Sequence, residues 1–97
     1  MRLTDKQKAI IQTAAARIFG SSARVYLYGS RINDQVKGGD IDLMIDAEIN
    51  KMTSRNKVLF LVALKKQLGE QKIDVVYNHP GRQDQFINSI KKQAILL

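Results

Sequence analysis

The sequence contains no cysteine, and this absence excludes two kinds of site. Disulfide bonds cannot form, and neither can the zinc or iron–sulfur sites that depend on thiolate ligands. The absence agrees with a reducing compartment.

Long apolar runs are also missing. No stretch approaches the roughly 18 consecutive apolar residues of a membrane span, and the beginning of the chain lacks the apolar centre of a signal peptide. We therefore expect a cytoplasmic protein. The 97 residues are expected to form one domain, residues 1–97, with a core large enough to fold alone.

Acidic residues are scarce relative to basic ones. Sixteen Lys and Arg residues against nine Asp and Glu give a net charge of +7, which suggests an anionic partner such as a nucleotide, a nucleic acid or an acidic protein surface. The basic residues occur in pairs along the expected helices, and no long basic run exists. A solvated helix face therefore explains them as well as a binding surface does.

The first half of the chain predicts one helix and two strands. Residues 4–7 have the form of a capping box, and apolar residues then recur at helical spacing until Gly20 ends the pattern. Residues 25–28 and 41–45 are short β-rich runs, and residues 31–37 between them predict a loop or a short helix.

The second half predicts a helix, a strand and a last helix. Thr53 or Ser54 can cap a helix that Gly69 ends. A third strand is centred on residues 74–77, and apolar residues within 86–94 mark the last helix.

These elements predict an α/β (α+β) fold in the order αβαβαβα, with a small mixed three-stranded sheet and helices packed on its apolar face. The strands are too few for a doubly wound dinucleotide-binding fold. We expect residues 95–97 to be a helix end folded back on the core, although an apolar tail left exposed would mark a partner interface.

Three aspartates occupy apolar, strand-like runs, where a carboxylate is costly. Asp40 and Asp42 alternate with apolar residues and should project from one face of a strand. If Asp74 comes from a neighbouring strand, three carboxylates converge. Two charges roughly 6 Å apart repel by about 3 kcal/mol at an effective dielectric of about 20. Lys37, Lys72 or Arg31 could offset part of this repulsion, but divalent cations are the commoner partner of clustered Asp.

A second motif precedes the aspartates and suits a phosphate group. Gly29 follows a β-rich run and would let the backbone approach a phosphate, while Ser30 adds a hydroxyl and Arg31 a fork of donors. The motif is not a P-loop, because no Gly-Lys-Ser/Thr sequence follows. Two-metal nucleotidyl transfer requires hydrogen-bond donors for the phosphates beside carboxylates that bind the metal ions.

Taken together, residues 28–31, 39–43 and 73–76 resemble the signature of the DNA polymerase beta-like nucleotidyltransferase superfamily, and more narrowly the minimal nucleotidyltransferases of prokaryotes. The resemblance implies the nucleotidyltransferase fold, with Gly29, Ser30 and Arg31 contacting the triphosphate of ATP. It implies that Asp40, Asp42 and Asp74 hold two Mg²⁺ ions, and that Asp74 also helps to activate the acceptor hydroxyl. The family often has Ser where this chain has Gly39, which affects the loop contacts and not the carboxylates.

Minimal nucleotidyltransferases are often antitoxins that pair with a small all-helical toxin of the higher eukaryotes and prokaryotes nucleotide-binding type. The resemblance thus implies transfer of AMP from ATP to a tyrosine of that partner. Two alternatives stay open: a non-catalytic antitoxin or nucleotide-binding module that occludes its partner, and, less favoured, a protein that binds nucleic acid.

Simpler readings exist for the single residues. Asp40 and Asp42 could be solvated residues at a strand edge, and Gly29 could serve only a turn. The tyrosines of the β-rich runs, Tyr26, Tyr28 and Tyr77, are expected to pack on the sheet.

Overall fold

The computed structural model describes residues 3–29, 40–69, 71–78 and 85–97. Within these ranges the chain forms three helices and four strands. In chain order they are α1 (Asp5–Phe19), β1 (Arg24–Tyr28), β2 (Ile41–Asp46), α2 (Ser54–Leu68), β3 (Ile73–Tyr77), α3 (Gln85–Gln93) and β4 (Ile95–Leu96), with a 3-10 helix at Ile49–Lys51 between β2 and α2. None of the described helices is long and apolar enough to cross a bilayer.

The four strands form one mixed sheet in the order β3-β2-β1-β4. Strands β2 and β3 are parallel, whereas β1 runs antiparallel to both β2 and β4. The predicted α+β class and mixed sheet are confirmed. The predicted short helix within residues 31–37 lies outside the described residues.

The predicted number of strands was wrong by one. The C-terminal residues do not continue the last helix; β4 pairs with the edge of β1 through Tyr26↔Leu96 and Leu27↔Ile95. A strand of two residues is too short to show the alternation by which strands are recognised in a sequence. The sequence therefore predicts that residues 95–97 extend the last helix.

The predicted helix ends are confirmed. Thr4 caps α1 in a reciprocal capping box with Gln7, and Gly20 ends that helix at a positive φ of 102°. Thr53 caps α2, where its side chain accepts a hydrogen bond from the Asn56 backbone N–H at 3.0 Å, and Gly69 is the C-cap. These local signals fix where the two helices that cover the sheet begin and end.

One face of the sheet packs against α1 and α2 and forms the core. The core residues alternate along β1, β2 and β3, as the two-residue period of a strand requires. The core comprises Ile11, Phe19, Val25, Leu27, Ile41, Leu43, Ile45, Phe60, Leu64, Ile73, Val75 and Tyr77, with smaller residues between them.

Strand β3 is anchored to α2 by Tyr77. The Tyr77 hydroxyl donates a hydrogen bond to the Thr53 carbonyl oxygen at 2.6 Å, and its ring meets Phe19 edge-on at 5.8 Å between centroids. The Lys57 ammonium lies 5.0 Å from the same ring. These contacts hold the strand that carries Asp74 in a fixed position beside β2.

Helix α2 leaves several apolar residues in solvent. Phe60 and Leu64 face the core, whereas Val58, Leu59 and Val62 are between 46% and 58% exposed. The apolar residues that helped to predict this helix are thus not all part of its buried face.

Candidate active site

The face of the sheet opposite α1 and α2 carries a row of three polar side chains. In the register of the sheet, Asp42 of β2 lies directly beside Tyr28 of β1 and beside Asp74 of β3. Residues directly opposite on adjacent strands point to the same face, and neighbouring strands are about 4.8 Å apart. The structure therefore brings Asp42 and Asp74 together, as the sequence predicted.

Asp40 lies at the entrance to this row. It precedes β2 by one residue, and the backbone there is already paired, because the Ile41 N–H donates to the Lys72 carbonyl oxygen at 2.9 Å. Asp40 is two residues from Asp42 and so projects from the same side of the chain. The field of Asp40 reaches Asp42, since it contributes to the raised pKa of that carboxyl group.

Asp42 is the carboxylate of the row on which burial and the neighbouring charges act together. Burial raises the pKa of the Asp42 carboxyl group above its ordinary value, and the charges of Asp74 and Asp40 raise it further, while Lys72 opposes them. The Lys72 ammonium lies 3.9 Å from Asp40 Oδ2, but the two side chains are 69% and 50% exposed. An ion pair in solvent contributes little, so Lys72 offsets only part of the repulsion. Lys37 and Arg31, the other two candidates for this role, lie outside the described residues.

Tyr28 is a member of the site that the sequence did not reveal. Its expected packing on the sheet is only half of the picture, because its hydroxyl belongs to the same row as the carboxylates. Burial raises the pKa of the Tyr28 hydroxyl, and the charges of Asp42 and Asp74 raise it further. Only the antiparallel register of β1 with β2 could have shown this, and a single sequence does not specify that register.

Gly29 brings the backbone against the Asp42 carboxylate. Its φ of +78° is in the region that favours glycine. A Cβ at this position would overlap with Asp42 Oδ2 and lie 3.3 Å from Asp42 Cγ. A turn alone requires the positive φ but not the lack of room for a Cβ. Gly29 therefore serves both the turn and the close approach of the backbone to Asp42. Ser30, Arg31 and Gly39, the other predicted loop residues, lie outside the described residues.

The carboxylates share one face but do not enclose a metal ion by themselves. Among the described residues, no group of three His, Cys, Asp or Glu side chains is arranged to hold one. Asp40 lies against Lys72, and Asp74 is exposed. The arrangement supplies oxygen ligands on an open surface, where a ligand that brings its own oxygen atoms could complete the coordination of a hard cation.

The first prediction isolates the contact between Gly29 and Asp42. Gly29→Ala and Gly69→Ala both place a Cβ on a residue with φ near +80°, but only at Gly29 does the Cβ meet another group. Each variant should lose roughly 1–3 kcal/mol of unfolding free energy from backbone strain, and Gly29→Ala should lose a further amount from the overlap with Asp42. Urea denaturation measures both.

The control for this prediction is the same glycine substitution in an Asp42→Ala background. There the nearest remaining atom to the new Cβ is Asp42 Cβ at 3.5 Å, an ordinary contact distance, so the additional loss should disappear. Equal losses for Gly29→Ala and Gly69→Ala in the native background would contradict the assignment.

The second prediction concerns Asp42→Asn in the absence of metal ions. A carboxyl group whose folded pKa is raised binds protons more tightly in the native state, so its ionisation destabilises the fold, and this effect disappears as the pH falls from the raised value through 3.8. The variant should therefore be more stable than the native protein at pH 7, by less than about 1 kcal/mol because the group is half exposed. The difference should vanish near pH 3. Chemical denaturation at several pH values in EDTA measures it, and a marked loss of stability at pH 7 would refute the repulsion.

The comparisons with known proteins address the same region. A family model described as the nucleotidyltransferase domain matches residues 6–97, which include Gly29 and all three aspartates. Among curated proteins, no sequence matches the chain closely enough to count as a relative. The match covers nearly the whole chain and agrees with the mixed sheet and its carboxylate row, and the chain therefore belongs to the nucleotidyltransferase domain family.

Proposed function

We propose that this protein is a magnesium-dependent nucleotidyltransferase that transfers AMP from ATP to the hydroxyl group of a tyrosine on a small helical partner protein. In this proposal it acts in the cytoplasm as the antitoxin of a toxin–antitoxin pair. The observation that carries the proposal is the pairing of Asp42 with Asp74 beside Gly29, in a chain of the nucleotidyltransferase family.

The donor set suits magnesium. Asp40, Asp42 and Asp74 supply hard oxygen ligands, and Mg²⁺ is usually bound by one or two carboxylates together with substrate phosphates. An open row of carboxylates fits that mode better than it fits a metal that needs a complete protein cage. Once bound, two Mg²⁺ ions would neutralise the charge of the carboxylates and the phosphates and polarise the reacting oxygens.

The end of β1 suits the triphosphate. Gly29 has no side chain between its backbone and the Asp42 carboxylate, so a phosphate group can come close to both. Ser30 and Arg31, the next two residues, would donate hydrogen bonds from a hydroxyl and a guanidinium to phosphate oxygens. In this proposal the β- and γ-phosphates lie beyond the end of the strand.

The transfer itself exchanges one bond at phosphorus for another. The acceptor oxygen forms a bond to the α-phosphorus, and the bond between the α-phosphorus and the oxygen that bridges to the β-phosphate breaks, so its electron pair leaves with pyrophosphate. The acceptor's proton passes to the carboxylate of Asp74, which is exposed and can release it to solvent. Asp42, between Asp74 and Gly29, would hold a cation that offsets the charge of the α-phosphate.

The charge of the chain supports a partner with acidic surfaces. The net charge is +7, and two exposed basic pairs, Lys65–Lys66 and Lys91–Lys92, occupy the last turns of α2 and α3. Such charges speed the association with an oppositely charged protein.

One observation supports a second candidate function, a non-catalytic antitoxin that occludes its partner. The carboxylates are not gathered around a point, as they would not need to be in a protein that only binds. The retention of Asp74 beside Asp42, where its charge adds to the raised pKa of the Asp42 carboxyl group, supports the catalytic function instead, because a binding module has no use for that repulsion.

The third prediction tests transfer directly. The purified protein, ATP labelled at the α-phosphate, Mg²⁺ and the product of the adjacent reading frame should yield labelled partner protein, and EDTA should prevent it. Asp42→Asn should lower the rate at least about a hundredfold, as expected when a group at the reacting centre is lost. No transfer of label to the partner under any divalent condition would contradict the proposal.

The matched control is Asp5→Asn, the same chemical change in the first turn of α1, which should leave transfer unchanged. Neutralisation of the partner in cells separates the two candidate functions. If Asp42→Asn still neutralises the partner, occlusion is sufficient; if it fails while the two proteins still bind each other, catalysis is required.

A further inference from the structure

A small cavity lies on the same face of the sheet as the carboxylates. It has a volume of about 320 Å³ and is lined by Tyr26, Met44, Asp46, Asn78 and Lys91. Strands β1 and β2, the residue after β3, and helix α3 each contribute to it. Of these residues only Lys91 has an assigned role so far, as part of a basic pair on the surface.

The cavity begins one step along the sheet from the carboxylate row. Met44 follows Asp42 by two residues in β2, and it pairs with Tyr26 of β1. Two residues of a strand span about 6.6 Å, so the lining of the cavity begins about that distance from Asp42. Gly29 lies on the other side of the row, after the end of β1.

This position decides whether the cavity can serve the nucleotide or the acceptor. The inference rests on the proposed function. In phosphoryl and nucleotidyl transfer the attacking and leaving oxygens are roughly in line with the phosphorus. If pyrophosphate leaves towards Gly29, the acceptor must approach from the opposite side of the carboxylate row. The cavity is on that side.

The lining of the cavity suits an aromatic side chain on a peptide. Met44 is 2% exposed and is covered by Tyr26 and its neighbours, so the half-buried ring of Tyr26 is the apolar surface that the cavity offers. An aromatic ring packs well against another ring. The rim provides a carboxylate, an amide and an ammonium, which can pair with the backbone groups that flank such a side chain.

The size of the cavity points the same way. Its volume is at the lower end of the roughly 300–1,000 Å³ of small-molecule sites, which accommodates one side chain better than a whole nucleotide. We propose that this cavity is the acceptor site and receives a tyrosine side chain of the partner protein, with its ring against Tyr26 and its hydroxyl directed at Asp42.

The fourth prediction tests binding without relying on catalysis. The chain has three methionines, so the methyl signals of Met44 and Met52 can be followed by NMR after ¹³C labelling. The probe is N-acetyltyrosinamide, added with Mg²⁺ and an ATP analogue that cannot be cleaved between the α- and β-phosphates. The Met44 signal should shift saturably, whereas the signal of Met52, in the core on the other face, should not.

Two variants sharpen the test. Tyr26→Ala should weaken the binding of the probe by about fivefold, as the loss of one aromatic pair implies. Lys6→Ala, on the exposed surface of α1 and not part of the cavity lining, should leave it unchanged. In transfer assays Tyr26→Ala should raise the KM for the partner protein and leave the KM for ATP unchanged.

The outcomes separate this inference from the proposed function. If label is transferred to the partner but the Met44 signal does not respond to N-acetyltyrosinamide, the acceptor site is elsewhere and the inference is wrong. The inference is also wrong if the Met44 signal responds only when an oligoribonucleotide replaces that probe. If Met44 responds to the probe but no protein is labelled, the cavity binds an aromatic side chain as proposed and the transfer reaction is what fails.

Discussion

The parallel pairing of β2 with β3 is the constraint on which the site depends. The register that places Ile41 beside Ile73 in the core also places Asp42 beside Asp74 on the opposite face. A slip of one residue would send an aspartate into the core and an isoleucine into solvent, because side chains alternate between faces. Burial of the apolar row therefore enforces the close approach of two carboxylates that would otherwise separate.

The contacts of β3 with the helical layer reinforce this register. Tyr77, four residues after Ile73, is held by its hydrogen bond to Thr53 and by the ring of Phe19. Buried polar groups need partners, so the hydroxyl of Tyr77 fits only when β3 is placed correctly against α2. The core face thus acts as the support for chemistry on the other face, with Gly29 on one side of the carboxylate row and the Tyr26–Met44 cavity on the other.

The sequence was sufficient where the determining interactions are local. The caps Thr4, Thr53 and Gly69 depend on hydrogen bonds within a few residues, and the alternation around Asp42 depends on the strand period alone. These features were predicted correctly. The proximity of Asp42 and Asp74 was also predicted. Two aspartates in neighbouring apolar strands cannot face the core, so both lie on the opposite face of the sheet.

Features that depend on pairing between distant segments could not be predicted from the sequence. Strand β4 exists only because Leu96 meets Tyr26 across an edge of the sheet, and Tyr28 enters the site only through its register with Asp42. The cavity likewise needs Lys91 of α3 beside the end of β2. None of these contacts has a local signal, since each joins residues far apart in the chain.

The most direct test of the account is calorimetric titration of the native protein and of Asp42→Asn with ATP in the presence of Mg²⁺. The account predicts that the native protein binds with a saturable heat that requires Mg²⁺, and that Asp42→Asn gives none, because in the proposed function a bound cation and its triphosphate neutralise the carboxylate row. No heat of binding to the native protein, or equal binding by both proteins, would contradict it.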